Sequence, residues 1–239
     1  MLDVTKSRDT FVGRARELSV LQERYASQAS ELLTVYGRRR VGKSALVRRF
    51  QEDKPGLAYV GKRLAGPVQI QHFLRELGRV VDDPLLGSVV VGSSWLDVLR
   101  STVDRLSGDG KRKVVLSLDE LPWIVEGSPE LPSVLQECWD RYWKPRGNVL
   151  LILCGSALGF LGSGMFGGRD PLLGRRTAQV QLKPFGYREA ALFQKAYLIH
   201  LFQDMIEHGV DFGHADTPGN YREIDTQQDM DLAQTLWKP

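Results

Sequence analysis

The sequence predicts an α/β fold with a short helical appendage at its C-terminal end, and three observations carry that prediction. Gly37-Arg38-Arg39-Arg40-Val41-Gly42-Lys43-Ser44 fits the phosphate-binding pattern G-x-x-x-x-G-K-[ST] and lies between a strand-like and a helix-like run. Short apolar runs alternate with helical patterns along the chain, as they do in a parallel sheet linked by crossover helices. The most apolar of the early runs, Val114 to Leu118, stops at the acidic pair Asp119-Glu120.

The elements follow in order. Phe11-Val12-Gly13-Arg14 precedes a helical run from Ala15 to Ala26, in which Leu18, Leu21 and Tyr25 recur at helical spacing. Leu32 to Tyr36 is short, apolar and β-prone, and Ala45 to Phe50 continues beyond the glycine loop as an amphipathic helix. Leu57 to Val60 reads as a second strand. Val68 to Val81 reads as a helix with Ile70, Phe73, Leu74, Leu77 and Val81 on one side, and Trp95 to Leu106 as another. Gly108-Asp109-Gly110 breaks the chain before the strand Val114 to Leu118, whose strongly apolar character is that of a strand buried on both faces. A further apolar strand, Val149 to Cys154, runs into Gly155-Ser156-Ala157. The glycine-rich stretch 159–174 leads through Gly174-Arg175-Arg176-Thr177 to a strand-like run, Ala178 to Leu182, and then Pro184-Phe185.

A loop of the 37–44 type wraps polyphosphate with backbone N–H groups, so glycines stand where side chains would obstruct, and the next helix offers its positive end to the anion. Lys43 is then placed to reach the β- and γ-phosphates and Ser44 to coordinate Mg²⁺. Ligands of open α/β sheets collect at the carboxyl ends of the strands. That puts Asp119 beside Ser44 to hold Mg²⁺ through water, and Glu120 where it can polarise a water for attack on the γ-phosphate. Ser156, ending its strand, can hydrogen-bond that water or the γ-phosphate; an ordinary turn is the other reading of Gly-Ser. The arginines at 175 and 176 read either as a finger or sensor for the nucleotide or as solvated loop residues.

Composition narrows the function classes. No apolar stretch long enough to span a bilayer and no secretory leader is visible, so a cytoplasmic protein that does not cross a membrane is expected. The two cysteines, Cys138 and Cys154, lack disulfide or metal-ligand spacing and read as core thiols. The net charge of +3 hides a division: residues 1–199 hold 30 Lys+Arg against 21 Asp+Glu, or +9, and residues 200–239 hold 2 against 8, or −6. Many of the excess arginines flank the phosphate loop, which suits polyphosphate; a nucleic-acid face is the alternative. No Asn/Thr-Lys-x-Asp guanine-reading motif is present, which favours adenine.

Taken in order, Phe11 to Arg14, Gly37 to Ser44, Leu118 to Trp123, Leu153 to Ser156, Pro171 to Thr177 and Leu182 to Phe185 closely resemble the motifs of the archaeal-type ATPases, a branch of the STAND and AAA+-related P-loop NTPases. The resemblance covers about residues 11–193. It implies a P-loop αβα sandwich with a mainly parallel five-stranded sheet, ATP and Mg²⁺ as cofactors, and Glu120 as catalytic base. It also implies that Phe11, Val12, Gly13 and Arg14 lie against the adenine, and that Arg175 or Arg176 senses the γ-phosphate. The nucleotide-binding set expected is thus Gly37 through Ser44 with Ala45, together with Phe11 to Arg14. The catalytic set is Lys43, Glu120, Ser156 and Arg175, and the metal ligands are Ser44 and Asp119. The family-level role is a nucleotide-driven switch acting on a nucleic-acid or protein partner, and the sequence leaves the oligomeric state open.

After about Phe193 the chain departs from that plan, because the helical lid with its Gly-Gly-x-Pro turn is not found. Residues 194–239 instead form an acidic appendage, expected to come from an unrelated fusion, and weak hydrolysis or an inactive truncated fusion would follow. Its ending, Tyr221 to Ala233, resembles the tail of sugar-phosphate or phosphocholine-type nucleotidyltransferases, in which Asp225 would bind metal. A capped amphipathic helix over 221–236 is the plainer reading.

Overall fold

The computed structural model describes residues 11, 13–88, 93–108, 110, 112–156, 171–172 and 174–185. Expectations for Val12, Asp109, the glycine-rich stretch 159–170, the 194–239 appendage and Asp225 lie outside the described residues.

The elements are α1 (Ala15–Ala26), β1 (Glu31–Gly37), α2 (Lys43–Gln51), β2 (Gly56–Val60), α3 (Gly66–Val80), α4 (Trp95–Ser107), β3 (Val114–Asp119), α5 (Leu121–Gly127), α6 (Leu131–Glu137), β4 (Val149–Ser156) and β5 (Ala178–Leu182). They form one five-stranded sheet, order β2-β3-β4-β1-β5, in which every neighbouring pair is parallel. The α/β class and the five-stranded parallel sheet are therefore as expected.

Continuous apolar strands make sense because both faces of the sheet are covered. Alternate residues of one strand enter different cores. Val149, Leu151 and Leu153 of β4 pack with Phe73, Leu77, Trp95 and Leu99 of α3 and α4 and with Leu121 and Leu135 of α5 and α6. Leu150, Ile152 and Cys154 face the other way, onto Leu21 of α1 and Leu46, Val47 and Phe50 of α2. Each of these side chains is buried, and at about 1.5–3 kcal/mol for a fully buried aliphatic or aromatic side chain the two layers supply the main favourable term.

Local signals set the helix ends. Ser94 caps the start of α4 by accepting from the Asp97 N–H, and its hydroxyl donates to the Asp97 carboxylate. Proline stands in the first turn of α3, α5 and α6, where its missing N–H costs nothing. Lys113 Nζ donates to the carbonyls of Arg24, Ser27 and Ala29, closing the C-terminal end of α1. Beyond α6 the chain continues through a π-helical turn, Cys138–Trp143, into Lys144–Arg146 before descending into β4.

Candidate functional site

At the carboxyl edge of the sheet, β1 ends at Gly37 and the chain turns through Arg38 to Gly42 into α2. Gly37 is required by close approach: a Cβ there would stand 2.3 Å from the Leu182 carbonyl oxygen of β5. Gly42 has φ 91° and Arg40 has φ 65°, so two left-handed residues bracket Val41 and give the loop its tight curvature. Lys43 is 6 % exposed, and its ammonium donates to the Gly37 carbonyl at 3.3 Å and the Arg38 carbonyl at 2.9 Å. Ser44 opens the helix one residue later, and its hydroxyl donates to Asp119 Oδ2.

That last contact joins two residues 75 positions apart, from α2 and from the end of β3. Asp119 is 6 % exposed, and its other oxygen accepts the Glu120 N–H at 2.8 Å. Glu120 itself has φ 48°, an unusual backbone for a glutamate and one found where surrounding contacts over-determine it. The constraint comes from the loop after β2. Gly61 donates to the Asp119 carbonyl at 2.8 Å, and a Cβ on Gly61 would meet the Glu120 carbonyl oxygen at 2.9 Å and Ile124 Cγ1 at 2.4 Å. Sequence reasoning missed Gln69, which secures the same corner: wholly buried, it binds the Tyr59 hydroxyl and the carbonyls of Lys62 and Trp123.

Ser156 is paired in register with Gly37, so β4 carries it directly beside the phosphate loop. Cys154, two residues earlier, is fully buried; burial pushes its thiol well above the usual range, with Asp119 and Glu120 adding to the rise and Lys43 opposing it. Arg38, Arg39 and Arg40 are exposed, and Ala45 lies in the first turn of α2, also exposed.

Phe11 packs partly buried on the α1–α2 core, and Gly13, exposed, has φ 74°. The Arg14 side chain is turned into the protein. It is 5 % exposed, and its guanidinium is engaged with Glu17, the Val41 and Lys183 carbonyls and the Phe185 ring.

Arg175 stands away from this chain's own phosphate loop. β5 runs parallel to β1, with Ala178 level with Leu33 and Leu182 level with Gly37, so Ala178 stands about 13 Å below the loop at 3.3 Å per residue. Arg175 precedes it at the amino edge, where it forks onto Asp140 at 2.6 and 2.8 Å and donates to the Pro171 carbonyl. That fork holds the Asp140 carboxyl below the usual carboxylate range. Arg176, at the same edge, donates to Gln179. The sheet does not bring either arginine to this chain's own phosphate loop.

The donor set at the loop is a hydroxyl and a carboxylate, both hard oxygen ligands, which fits Mg²⁺ held with water and phosphate oxygens. Among the described residues there is no cluster of three or more His, Cys, Asp or Glu that would make a protein-only metal cage.

This assembly of motifs agrees with a family-level match across residues 11–212. The chain belongs to the ATPase domain family found predominantly in Archaea. An uncharacterized protein of Methanocaldococcus jannaschii is 27 % identical over 214 residues, covering 89 % of this chain and 43 % of that protein. An uncharacterized ATP-binding protein of the same organism is 43 % identical over 44 residues, 18 % of this chain and 75 % of that one. In fold, the chain is similar to the Walker-type ATPase Paby2304 of Pyrococcus abyssi, with TM-score 0.60, 22 % identity and coverage of 86 % of this chain and 61 % of that one. It is also similar to the ORC2 protein of Aeropyrum pernix in its ADPNP–ADP complexes, with TM-score 0.55, 19 % identity and coverage of 80 % and 55 %. The chain thus spans less than half the length of the first of these relatives.

The family match passes residue 193, where the core was expected to end, and continues to 212. The comparisons support an archaeal-type P-loop ATPase and do not support the nucleotidyltransferase-like reading of 221–233. Among the described residues no helix is long and apolar enough to cross a membrane.

Proposed function

We propose that this domain binds ATP with Mg²⁺ at the Gly37–Ser44 loop and hydrolyses the β–γ phosphoanhydride as a nucleotide-driven switch. The observation that carries the reading is the hydrogen bond from the Ser44 hydroxyl to Asp119, which joins the loop to the acidic strand end at a point where a metal–triphosphate would sit. Family membership and the ATP-binding relative support adenine nucleotide as the ligand.

In this reading the α2 N-terminus and the loop amides take the phosphates, and Lys43 exchanges its two carbonyl acceptors for β- and γ-phosphate oxygens. Ser44 and Asp119 are the residues that would hold the metal, and Mg²⁺ bound there would supply charge neutralisation of the phosphate oxygens. Glu120 accepts a proton from the attacking water, and Ser156 orients that water or the γ-phosphate. With Arg175 held at the opposite edge, the γ-phosphate lacks that counter-cation, and an arginine so placed contributes about 10³–10⁵ in rate. Slow turnover by this chain alone is the consequence. Two buried free thiols suit a reducing compartment, and a cytoplasmic location is part of this reading.

Calorimetric titration with ATP and Mg²⁺, paired with phosphate release, tests the assignment. Wild type binds, Lys43→Ala does not, and Glu120→Gln binds while turning over at least 100-fold more slowly, the lower end of a general base's usual contribution (~10²–10⁴). Equal binding by wild type and Lys43→Ala rejects it. A second reading, a polyanion-binding module, rests on the exposed run Arg38-Arg39-Arg40. It predicts binding to nucleic acid that falls steeply with salt and ignores ATP.

A further inference from the structure

Arg14 joins three segments that are remote in sequence. From a left-handed backbone at φ 62° just before α1, its guanidinium donates to Glu17 Oε1 at 3.1 Å, to the Val41 carbonyl at 3.0 Å and to the Lys183 carbonyl at 2.7 Å. The group stacks 4.3 Å over the Phe185 ring. Its Nε is buried with no hydrogen-bond partner, so the burial is costly unless the position serves a purpose.

Val41 is the residue between the two left-handed positions, Arg40 and Gly42. The peptide linking Val41 to Gly42 is planar and trans, so its carbonyl and its N–H point in opposite directions. A donor that fixes the Val41 carbonyl on one side therefore fixes the Gly42 N–H on the other. Glu17 holds the guanidinium from below and the Phe185 ring covers its face, so the fork is aimed before any ligand arrives.

We infer that Arg14 is a positioning residue that orients the Gly42 N–H toward bound phosphate by holding the Val41 carbonyl, and that it makes the phosphate loop dependent on the exit of β5. This rests on the reading of residues 37–44 as a phosphate site, and it replaces contact with the base by action through the loop. The β5 exit is involved because the same terminal nitrogen of the guanidinium serves both the Val41 and the Lys183 carbonyls.

The test uses the full chain with two probes, ATP and inorganic tripolyphosphate, each with Mg²⁺, by calorimetry, together with melting of the nucleotide-free protein. Arg14→Gln is expected to weaken both probes by roughly tenfold to a hundredfold, the equivalent of one charge-assisted hydrogen bond, leaving the ratio of the two affinities unchanged. Arg14→Lys keeps the charge but offers one nitrogen where the guanidinium uses two, so it cannot hold Glu17 together with both carbonyls or lie flat on the Phe185 ring, and it is expected still to lose several-fold on both probes. Loss of ATP affinity alone, with tripolyphosphate unaffected, would show contact with the base and overturn the proposal. So would wild-type binding by Arg14→Lys, which would make the effect one of charge, or unfolding of both variants without nucleotide. If wild type and Lys43→Ala bind tripolyphosphate equally, the phosphate-site reading itself fails, an outcome distinct from any of the Arg14 results.

Discussion

Replacing Lys43 with methionine separates the stability of the empty loop from its capacity for nucleotide. In the structure the Lys43 ammonium is nearly inaccessible and satisfied by two loop carbonyls. Methionine matches the stem in length but leaves both carbonyls without that donor, at about 1–3 kcal/mol. Against this stands relief of a buried cation, itself several kcal/mol. The two terms nearly cancel, and the nucleotide-free variant should melt within a few degrees of wild type. Ligand stabilisation should differ sharply. At ATP one hundred times its dissociation constant, wild type gains about 2.7 kcal/mol, or roughly 5–10 °C for a domain of this size. A hundredfold loss of affinity leaves the variant at its own dissociation constant, with a gain of about 0.4 kcal/mol, near 1 °C. Differential scanning calorimetry with and without Mg²⁺–ATP reads both quantities. An undiminished ATP-induced shift in Lys43→Met would refute the reasoning, as would a nucleotide-free variant that no longer folds.

Gly37→Ala should destabilise by about 1–3 kcal/mol, since its Cβ would collide with the backbone of Leu182 and β5 must move away; chemical denaturation measures this, and an unchanged midpoint counts against the β1–β5 packing. Both thiols should resist alkylation in the native state. Burial raises Cys138 to about 12, so at pH 8 only about one molecule in 10⁴ carries a thiolate there, and Cys154 is shifted in the same direction by its own burial. Mass spectrometry after iodoacetamide treatment should show no label until urea is added, then two; rapid labelling of folded protein contradicts the burial.

Much of this architecture was legible because its determinants are local. Val114 to Leu118 and Val149 to Cys154 announce themselves as apolar strands, the first as one buried on both faces, and the loop and acidic pair carry their chemistry in residue type and order. The stretch between Leu121 and Arg146 was not read as helical. It comprises two seven-residue helices, a π-helical turn and the short helical piece Lys144–Arg146, each too short for a clear period, and Pro122 and Pro132, which begin helices here, resemble breaks. Arg14 could not be assigned its partners from sequence, because two of them are backbone carbonyls and carry no side-chain signature. The position of Arg175 is obscured for a different reason. Adjacency to the glycine-rich stretch suggests a mobile sensor, yet a residue that immediately precedes a parallel strand stands at the amino edge, away from the ligand end. Gln69 had a faint signal, a polar residue next to Ile70 on a helix with a strongly apolar face, and tertiary hydrogen bonds explain it.

A crystal structure with Mg²⁺ and a non-hydrolysable ATP analogue addresses the convergence of Lys43, Ser44, Asp119 and Glu120 without intermediaries. It should place the triphosphate over residues 37–44, Lys43 on its terminal phosphates and the metal about 2.1 Å from Ser44 Oγ, the distance typical of magnesium–oxygen bonds, with Asp119 one water away. Nucleotide bound elsewhere on the surface, or Ser44 and Asp119 still bonded to each other with no metal beside them, would contradict it.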